Sequence, residues 1–374
     1  MLPFPIDRQA DAILAVAAER HPELNHPVGH DQPTQLESAL MKAVTFDEHG
    51  GLEVLKFGEV VTPEPSAGEV RVAVQACSLN YHDVFTRRGM PGIKTPLPMI
   101  PGCDAAGTVD ALGDGVEGWN QGDRVLVDPV QWSDDGRIQM IGDTRWGAYA
   151  EYVVVDARQL IALPDEVSAI DASCLPVAYG TAHRMMFTRG GVTAGETVFV
   201  LGASGGVGTC CVLLAKQAGA HVIAAAGSAA KCAALEALGA DETVDYSTTD
   251  IAAFTRQRTG SLFSGGGWDV VVNFTGGETW VPTLRMVKMG GRLLTCGATA
   301  GFDPPTDIRF IWTAEMNIRG SNGWKRDDLE SLLAMVADGR LKPVVDKVMP
   351  LEEGVEAMRL LEDRQFFGKI VLAP

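Results

Sequence analysis

Four glycines between residues 202 and 208 carry the clearest chemistry in this chain. They stand in Leu201-Gly-Ala-Ser-Gly-Gly-Val-Gly208 as Gly202, Gly205, Gly206 and Gly208. A turn with so few side chains lets backbone N–H groups approach a diphosphate, and a helix starting there adds partial positive charge. Contact with a dinucleotide is expected at Ala203, Ser204, Gly205, Gly206, Val207 and Gly208. The flanks agree. Val198 to Leu201 is a short apolar run that reads as a buried strand, Thr209 to Ala218 reads as a helix, and Gly219 stands where a C-cap belongs. The plainer alternative is a tight structural turn in an α/β domain without a ligand.

The next strand, His221 to Ala225, bears on which nucleotide binds. An acid at its end would accept hydrogen bonds from the ribose hydroxyls of NAD. Here Ala226, Gly227 and Ser228 follow, and none is acidic. A carboxylate would repel a 2′-phosphate, so its absence permits NADP(H). Ser228 can donate a hydrogen bond and Lys231 can supply charge one turn later. Equally, Ser228 can cap the helix that starts near Ala229 while Lys231 is solvated, and both roles are compatible.

Further short apolar runs, Thr243 to Tyr246, Asp269 to Asn273 and Gly291 to Cys296, alternate with helical segments such as Ala229 to Leu238. This alternation predicts a parallel sheet over residues 166–312. Residues 41–165 are different. Val70–Val74, Ala106–Asp110, Asp123–Val127 and Tyr149–Val155 read as short strands parted by Gly and Pro, which predicts a β-barrel-like domain. In the tail, 313–374, Asp327–Asp338 and Leu351–Leu361 read as helices and Gly368–Leu372 as a last strand. Residues 1–40 read as an extension with a proline-bearing linker, either a packed arm or sequence ahead of a natural start at Met41.

At 374 residues and 46% hydrophobic content, the chain can bury two cores. Its net charge of −17 argues against nucleic acid or an anionic membrane as partner. No apolar run approaches a membrane span, and no secretory signal is evident. Seven scattered cysteines without CxxC pairs suit reduced thiols in the cytoplasm.

In order along residues 41–374, the motifs resemble the medium-chain dehydrogenase/reductase superfamily, nearest its zinc-free quinone oxidoreductase-like and enoyl reductase-like branches. The resemblance rests on Met41-Lys-Ala-Val44, Gly68 to Val74, Asn80-Tyr-His-Asp83 and Pro101-Gly-Cys-Asp-Ala-Ala-Gly107. Gly122-Asp-Arg-Val125, Gly147 to Val153, the glycine turn and Gly368-Lys-Ile-Val371 complete it. It implies an α/β fold: a GroES-like β-barrel catalytic domain (41–165), a doubly wound Rossmann domain (166–312), and a C-terminal return to the barrel (313–374). It also implies a homodimer or homotetramer that pairs edge strands through Arg309 to Ser321.

The resemblance raises the question of zinc. Structural zinc needs four close thiolates, and no Cys stands between Val127 and Gly147. At the family's catalytic zinc, Asn80 stands at the first Cys position and Cys103 at the His position; the third falls near Ser173 or Cys174. No metal is expected, although Cys103, Cys174, Asp104 and His82 together are a chemically imaginable site. Without a Lewis acid, alkoxide chemistry is disfavoured, whereas an enolate or quinol oxygen can be stabilised by hydrogen bonds.

Site roles follow from the same resemblance. Thr181 matches a position beside the nicotinamide. Phe274, Thr275 and Gly276 stand where relatives support its ribose or ring, and Cys296, Gly297 and Ala298 end the next strand. Both loops lie at strand C-termini, where such sheets bind ligands. Asn80, Tyr81 and His82 should line the substrate side, Asn80 donating to a substrate oxygen and His82 delivering a proton; alternatively Tyr81 and His82 only shape the pocket. Asp83 should hold local backbone. Lys369 reaches the cofactor or has a positional role. The expected activity is NADPH-dependent, zinc-independent reduction of a quinone or α,β-unsaturated carbonyl. Alternatives are an enoyl-thioester reductase, with Arg87, Arg88 and Lys94 as a weak basic patch, an alcohol dehydrogenase with an atypical zinc site, and a non-catalytic NADPH-binding protein.

Overall fold

The computed structural model describes residues 39–90, 92–132 and 138–374. The expected extension lies outside these except for its end, and Leu40 already begins the first strand, Leu40–Thr45.

Six parallel strands form one sheet, in the order Glu242–Asp245, His221–Ala226, Thr197–Leu201, Trp268–Val272, Val287–Thr295, Asn317–Gly320. The order reverses beside Thr197–Leu201, the strand that runs into the glycine turn. Side chains alternate between the faces. Val198 and Val200 join the core beneath helix Gly206–Gln217, while Phe199 and Leu201 join the core on the other face with Ile223 and Val271. Both faces are covered, so these strands are continuous apolar runs rather than alternating ones. The sixth strand, Asn317–Gly320, lies beyond residue 312, where the domain was expected to end.

Seven strands form the second sheet. Its path runs Val345–Pro350, Lys369–Ala373, Glu69–Ser78, Ala105–Leu112, Arg124–Val127, Leu160–Ala162, and Tyr152–Asp156 pairs with Glu69–Ser78 off that path. With the pair Leu40–Thr45 and Lys56–Val61 it encloses a separate core of Val70, Val72, Leu79, Tyr149 and Leu372. The strand Lys369–Ala373 pairs with Glu69–Ser78, which brings the chain's end beside Asn80. Immediately before it, Gly368 bridges to Gly205 in the glycine turn. The two sheets meet at that point, and the site lies there.

Candidate active site

One cavity of about 560 Å³ runs along this seam. Its floor is the glycine turn: Gly202, Ser204, Gly205, Gly206 and Val207 all line it. Gly205 is the residue before helix Gly206–Gln217, and a Cβ built on it would meet only Gly202 O at 4.0 Å, so bare backbone faces open space. The helix N-terminus therefore presents unblocked N–H groups and partial positive charge to the cavity, a cradle that fits a diphosphate. Gly202 needs its glycine for another reason, a φ of +69°. Two expected contacts are structural instead. Ala203 is fully buried and donates its N–H to Ala225 O at 3.0 Å. Gly208 lies where a Cβ would stand 2.4 Å from Gly202 O, so it lets helix and strand approach.

Beyond the strand end, Gly227, Ser228 and Lys231 line the cavity together with Tyr246, Asp363, Arg364 and Phe366, which sequence reasoning missed. Ser228 caps its helix by accepting the Lys231 N–H at 3.3 Å. Lys231 Nζ donates to Arg364 O at 2.7 Å and lies 5.9 Å from the Phe366 ring centre. Burial and then repulsion from Arg364 hold the Lys231 pKa below its ordinary value. The Arg364 guanidinium has no side-chain partner among the described residues, and its backbone takes a left-handed φ of 57°, uncommon outside glycine. Asp363 is held by Arg359 at 2.6 Å, and Asp245, at the end of the neighbouring strand, is engaged by Ser247. Two cations thus share one end of the cavity without a free acid between them.

Toward the barrel, Phe274 and Thr275 line the cavity, but Gly276 does not; it packs against Gly301 O. Cys296, Gly297 and Ala298 are not lining residues either, because the chain turns on and presents Thr299 instead. Thr181, on the short helix Thr181–His183, is buried away from the cavity, and Ala178 faces it.

The barrel wall is Leu79, Asn80 and Tyr81, with Lys369 beside them. Asn80 differs from expectation. Its amide nitrogen donates to Asp104 Oδ2 at 2.7 Å and Ser78 O at 3.4 Å, and its Oδ1 accepts from Lys369 Nζ at 2.6 Å. The whole amide is committed within the wall, so it has no strong donor left for a substrate. Asp83 takes the Asn80 N–H at 2.8 Å and the Tyr149 hydroxyl at 2.9 Å, the local backbone role expected of it. Tyr81 packs edge-on to Phe85, and its hydroxyl has no partner among the described residues.

His82 follows Tyr81 on the first turn of helix Tyr81–Arg88 but is not a lining residue. Its Nε2 meets Asp143 Oδ2 at 3.1 Å, and the other Asp143 oxygen is buried without a partner. Burial disfavours the charged imidazole, but the Asp143 hydrogen bond and charge, with Asp83 and Asp104 behind it, outweigh that and raise the His82 pKa. Asp143 was not visible in the sequence, since a lone Asp in a glycine-bounded turn carries no signal.

The donor set for zinc does not assemble. Among the described residues, no three His, Cys, Asp or Glu side chains are placed to hold a metal. The Cys103 thiol donates to Asp83 Oδ1 at 3.3 Å, and burial pushes its pKa up. Asp104 is filled by Ser78, Asn80, Lys369 and the Val177 N–H. The proposed thioester patch also fails: Arg87 is fully buried, and both Arg87 and Arg88 pair with Glu362.

Comparison with known proteins identifies the family. A family described as "Alcohol dehydrogenase GroES-like domain" matches residues 66–165, and one described as "Zinc-binding dehydrogenase" matches residues 206–338. The chain is 31% identical to the NADPH-dependent alkenal/one oxidoreductase, chloroplastic, of Arabidopsis thaliana, over 89% of this chain and 80% of that protein. It is 29% identical to the quinone oxidoreductase of Rattus norvegicus, over 89% of this chain and 98% of that one. A solved structure, an NAD-dependent alcohol dehydrogenase, superposes with a TM-score of 0.82 at 38% identity, covering 89% of this chain and 100% of that one.

Proposed function

The chain belongs to the medium-chain dehydrogenase/reductase superfamily, in its quinone oxidoreductase-like branch, and from that premise we propose that it is an NADPH-dependent, zinc-independent reductase of quinones or α,β-unsaturated carbonyls. One observation carries the reading: a single cavity joins an end with two cations, Lys231 and Arg364, whose one lining acid, Asp363, is paired with Arg359, to the Leu79–Tyr81 wall through the glycine cradle. Lys231, Arg364, Ser228 and Tyr246 would hold a 2′-phosphate, and the turn Ser204–Val207 the diphosphate. Phe274, Thr275 and Thr299 would flank the nicotinamide, which supplies the hydride when bound.

The protein's own groups supply the rest. Tyr81 offers the free hydroxyl on the wall, suited to an oxygen that gains negative charge. His82, whose pKa Asp143 raises, would be the proton source; it does not line the cavity itself, so its proton would reach the substrate through solvent. Asp104, Asn80 and Lys369 make a closed hydrogen-bonded set where a catalytic metal would need open donors, which supports the zinc-free reading. The seven cysteines are all free among the described residues, in keeping with a cytoplasmic enzyme. The edge strand Asn317–Gly320, with Trp312 and Ile318 exposed nearby, is the surface on which two copies would pair.

The test is NADPH and NADH oxidation with quinones, enones, enoyl thioesters and aldehydes, with and without a chelator. Quinone or enone turnover that prefers NADPH and ignores the chelator is expected. Chelator-sensitive aldehyde reduction overturns the zinc-free reading, and cofactor binding with no turnover points to the non-catalytic alternative.

A further inference from the structure

We propose that Lys369 is the positioning residue that fixes the cofactor cradle against the substrate wall, and that it does so without binding the cofactor. The inference rests on the reductase reading for its kinetic consequence, but not for its geometry.

Lys369 is the first residue of the last strand and is 2% exposed. Three contacts converge on it and its neighbour. The Gly368 N–H donates to Ser204 O at 2.9 Å, which ties the strand to the glycine turn. The Lys369 stem passes under that turn, since a Cβ built on Gly206 would stand 2.7 Å from Lys369 Cδ. Its ammonium then reaches Leu79 O at 2.7 Å, Asn80 Oδ1 at 2.6 Å and Asp104 Oδ2 at 3.5 Å. Asp104 in turn accepts the Val177 N–H at 2.9 Å, beside the cavity-lining Ala178.

The ammonium has three hydrogens and three acceptors, so none is left for a phosphate. A buried cation is tolerated only when paired and hydrogen-bonded, and this one is. Its acceptors are the wall itself: the Leu79 carbonyl and Asn80 amide immediately precede Tyr81. The side chain therefore spans from cradle to wall and sets the gap between them. Hydride transfer needs its reacting atoms about 3–3.5 Å apart, and a misplacement of about 1 Å can cost roughly 100-fold.

The test uses the full chain with Lys369→Met and with Lys369→Met combined with Asp104→Asn. The double variant is included because the single one leaves the buried Asp104 carboxylate without a counter-charge. NADPH Kd is read by fluorescence titration, kcat and the isotope effect with 4-deuterated NADPH by single-acceptor kinetics, and backbone exchange by mass spectrometry. In the folded double variant, kcat should fall about 100-fold with a raised isotope effect, while Kd stays within roughly threefold. Amides of 79–82 and 202–207 should both exchange faster than in wild type. A Kd loss as large as the kcat loss would make Lys369 a cofactor ligand and overturn the proposal, as would an unchanged kcat. If the wild type turns over no acceptor, the reductase reading fails separately; the positioning role is then judged by exchange, and unchanged protection of both segments sinks it.

Discussion

At the scale of single side chains, nucleotide choice in the proposed reductase would fall to Lys231 and Arg364. Both line one end of the cavity, and after burial the charge of Arg364 lowers the Lys231 pKa further. A phosphate dianion between them would relieve that repulsion and add charge-assisted hydrogen bonds of about 1.5–3 kcal/mol each. Lys231→Glu or Arg364→Ala should therefore weaken NADPH binding by roughly 10- to 100-fold and leave NADH nearly unchanged. Titrating both nucleotides by fluorescence checks this; equal losses would remove the phosphate assignment. Lys231 was legible because it follows the second strand by a few residues. Arg364 and Tyr246 were not, because only the fold brings them to the Gly227 turn.

His82 makes a prediction at the same scale, with a definite sign. Its folded pKa is raised, so the imidazolium persists above its ordinary value of about 6.5. The His82–Asp143 pair stabilises the fold fully below that ordinary value, and the contribution fades as pH rises through the raised one. Reduction that draws its proton from His82 should be flat at acid pH and fall through the same window. The charged groups acting on His82 are Asp143 from the neighbouring turn, Asp83 from its own helix and Asp104 from just before the strand Ala105–Leu112. Asp143→Asn removes the strongest of these, so burial gains ground and the falling limb should move to lower pH. The NMR titration of the His82 ring, identified by its loss in His82→Gln, should move the same way. A limb that stays put in Asp143→Asn assigns the proton to Tyr81 or solvent.

At the scale of elements, the glycine turn separates binding from folding within seven residues. Gly205 and Gly208 looked alike in the sequence, both being part of one pattern. The fold gives them opposite tasks: space opens above Gly205, while Gly208 abuts the backbone of Gly202 and Ala203. Gly205→Ala should unfold at the wild-type temperature yet bind NADPH more weakly, because its methyl occupies the cradle. Gly208→Ala should lose about 1–3 kcal/mol of stability from overpacking. Denaturant midpoints and nucleotide titrations on the two variants check the contrast; a shared stability loss would mean the cradle is structural only. The parallel strands were readable for a local reason, that both of their faces are buried. The loop after Thr295 was harder. Sequence pointed to Cys296–Ala298, but loop direction is set by contacts such as Ala300 N–H to Thr275 O, so Thr299 lines the cavity instead.

At the scale of the whole molecule, the surface feature that bears on assembly is the edge of the six-stranded sheet. Asn317–Gly320 pairs with Val287–Thr295 on one side only, among the described residues, and an unpaired strand edge invites another strand. Large apolar side chains are exposed on it and on the helix just before it: Ile308 is 67% exposed, Trp312 68% and Ile318 38%. A chain of net charge −17 repels its own copies at long range, so self-association must draw on short-range burial and strand pairing of this kind. Two copies joined edge to edge would extend the sheet across the pair and bury these side chains. Ile318→Pro removes a ladder donor and an apolar contact at once. If the wild type pairs through this edge, the variant should sediment nearer to a monomer than the wild type does, with nucleotide affinity retained because none of these residues lines the cavity. Raised ionic strength should favour such pairing in the wild type by screening like charges. A variant that sediments as the wild type does would move the interface elsewhere on the molecule.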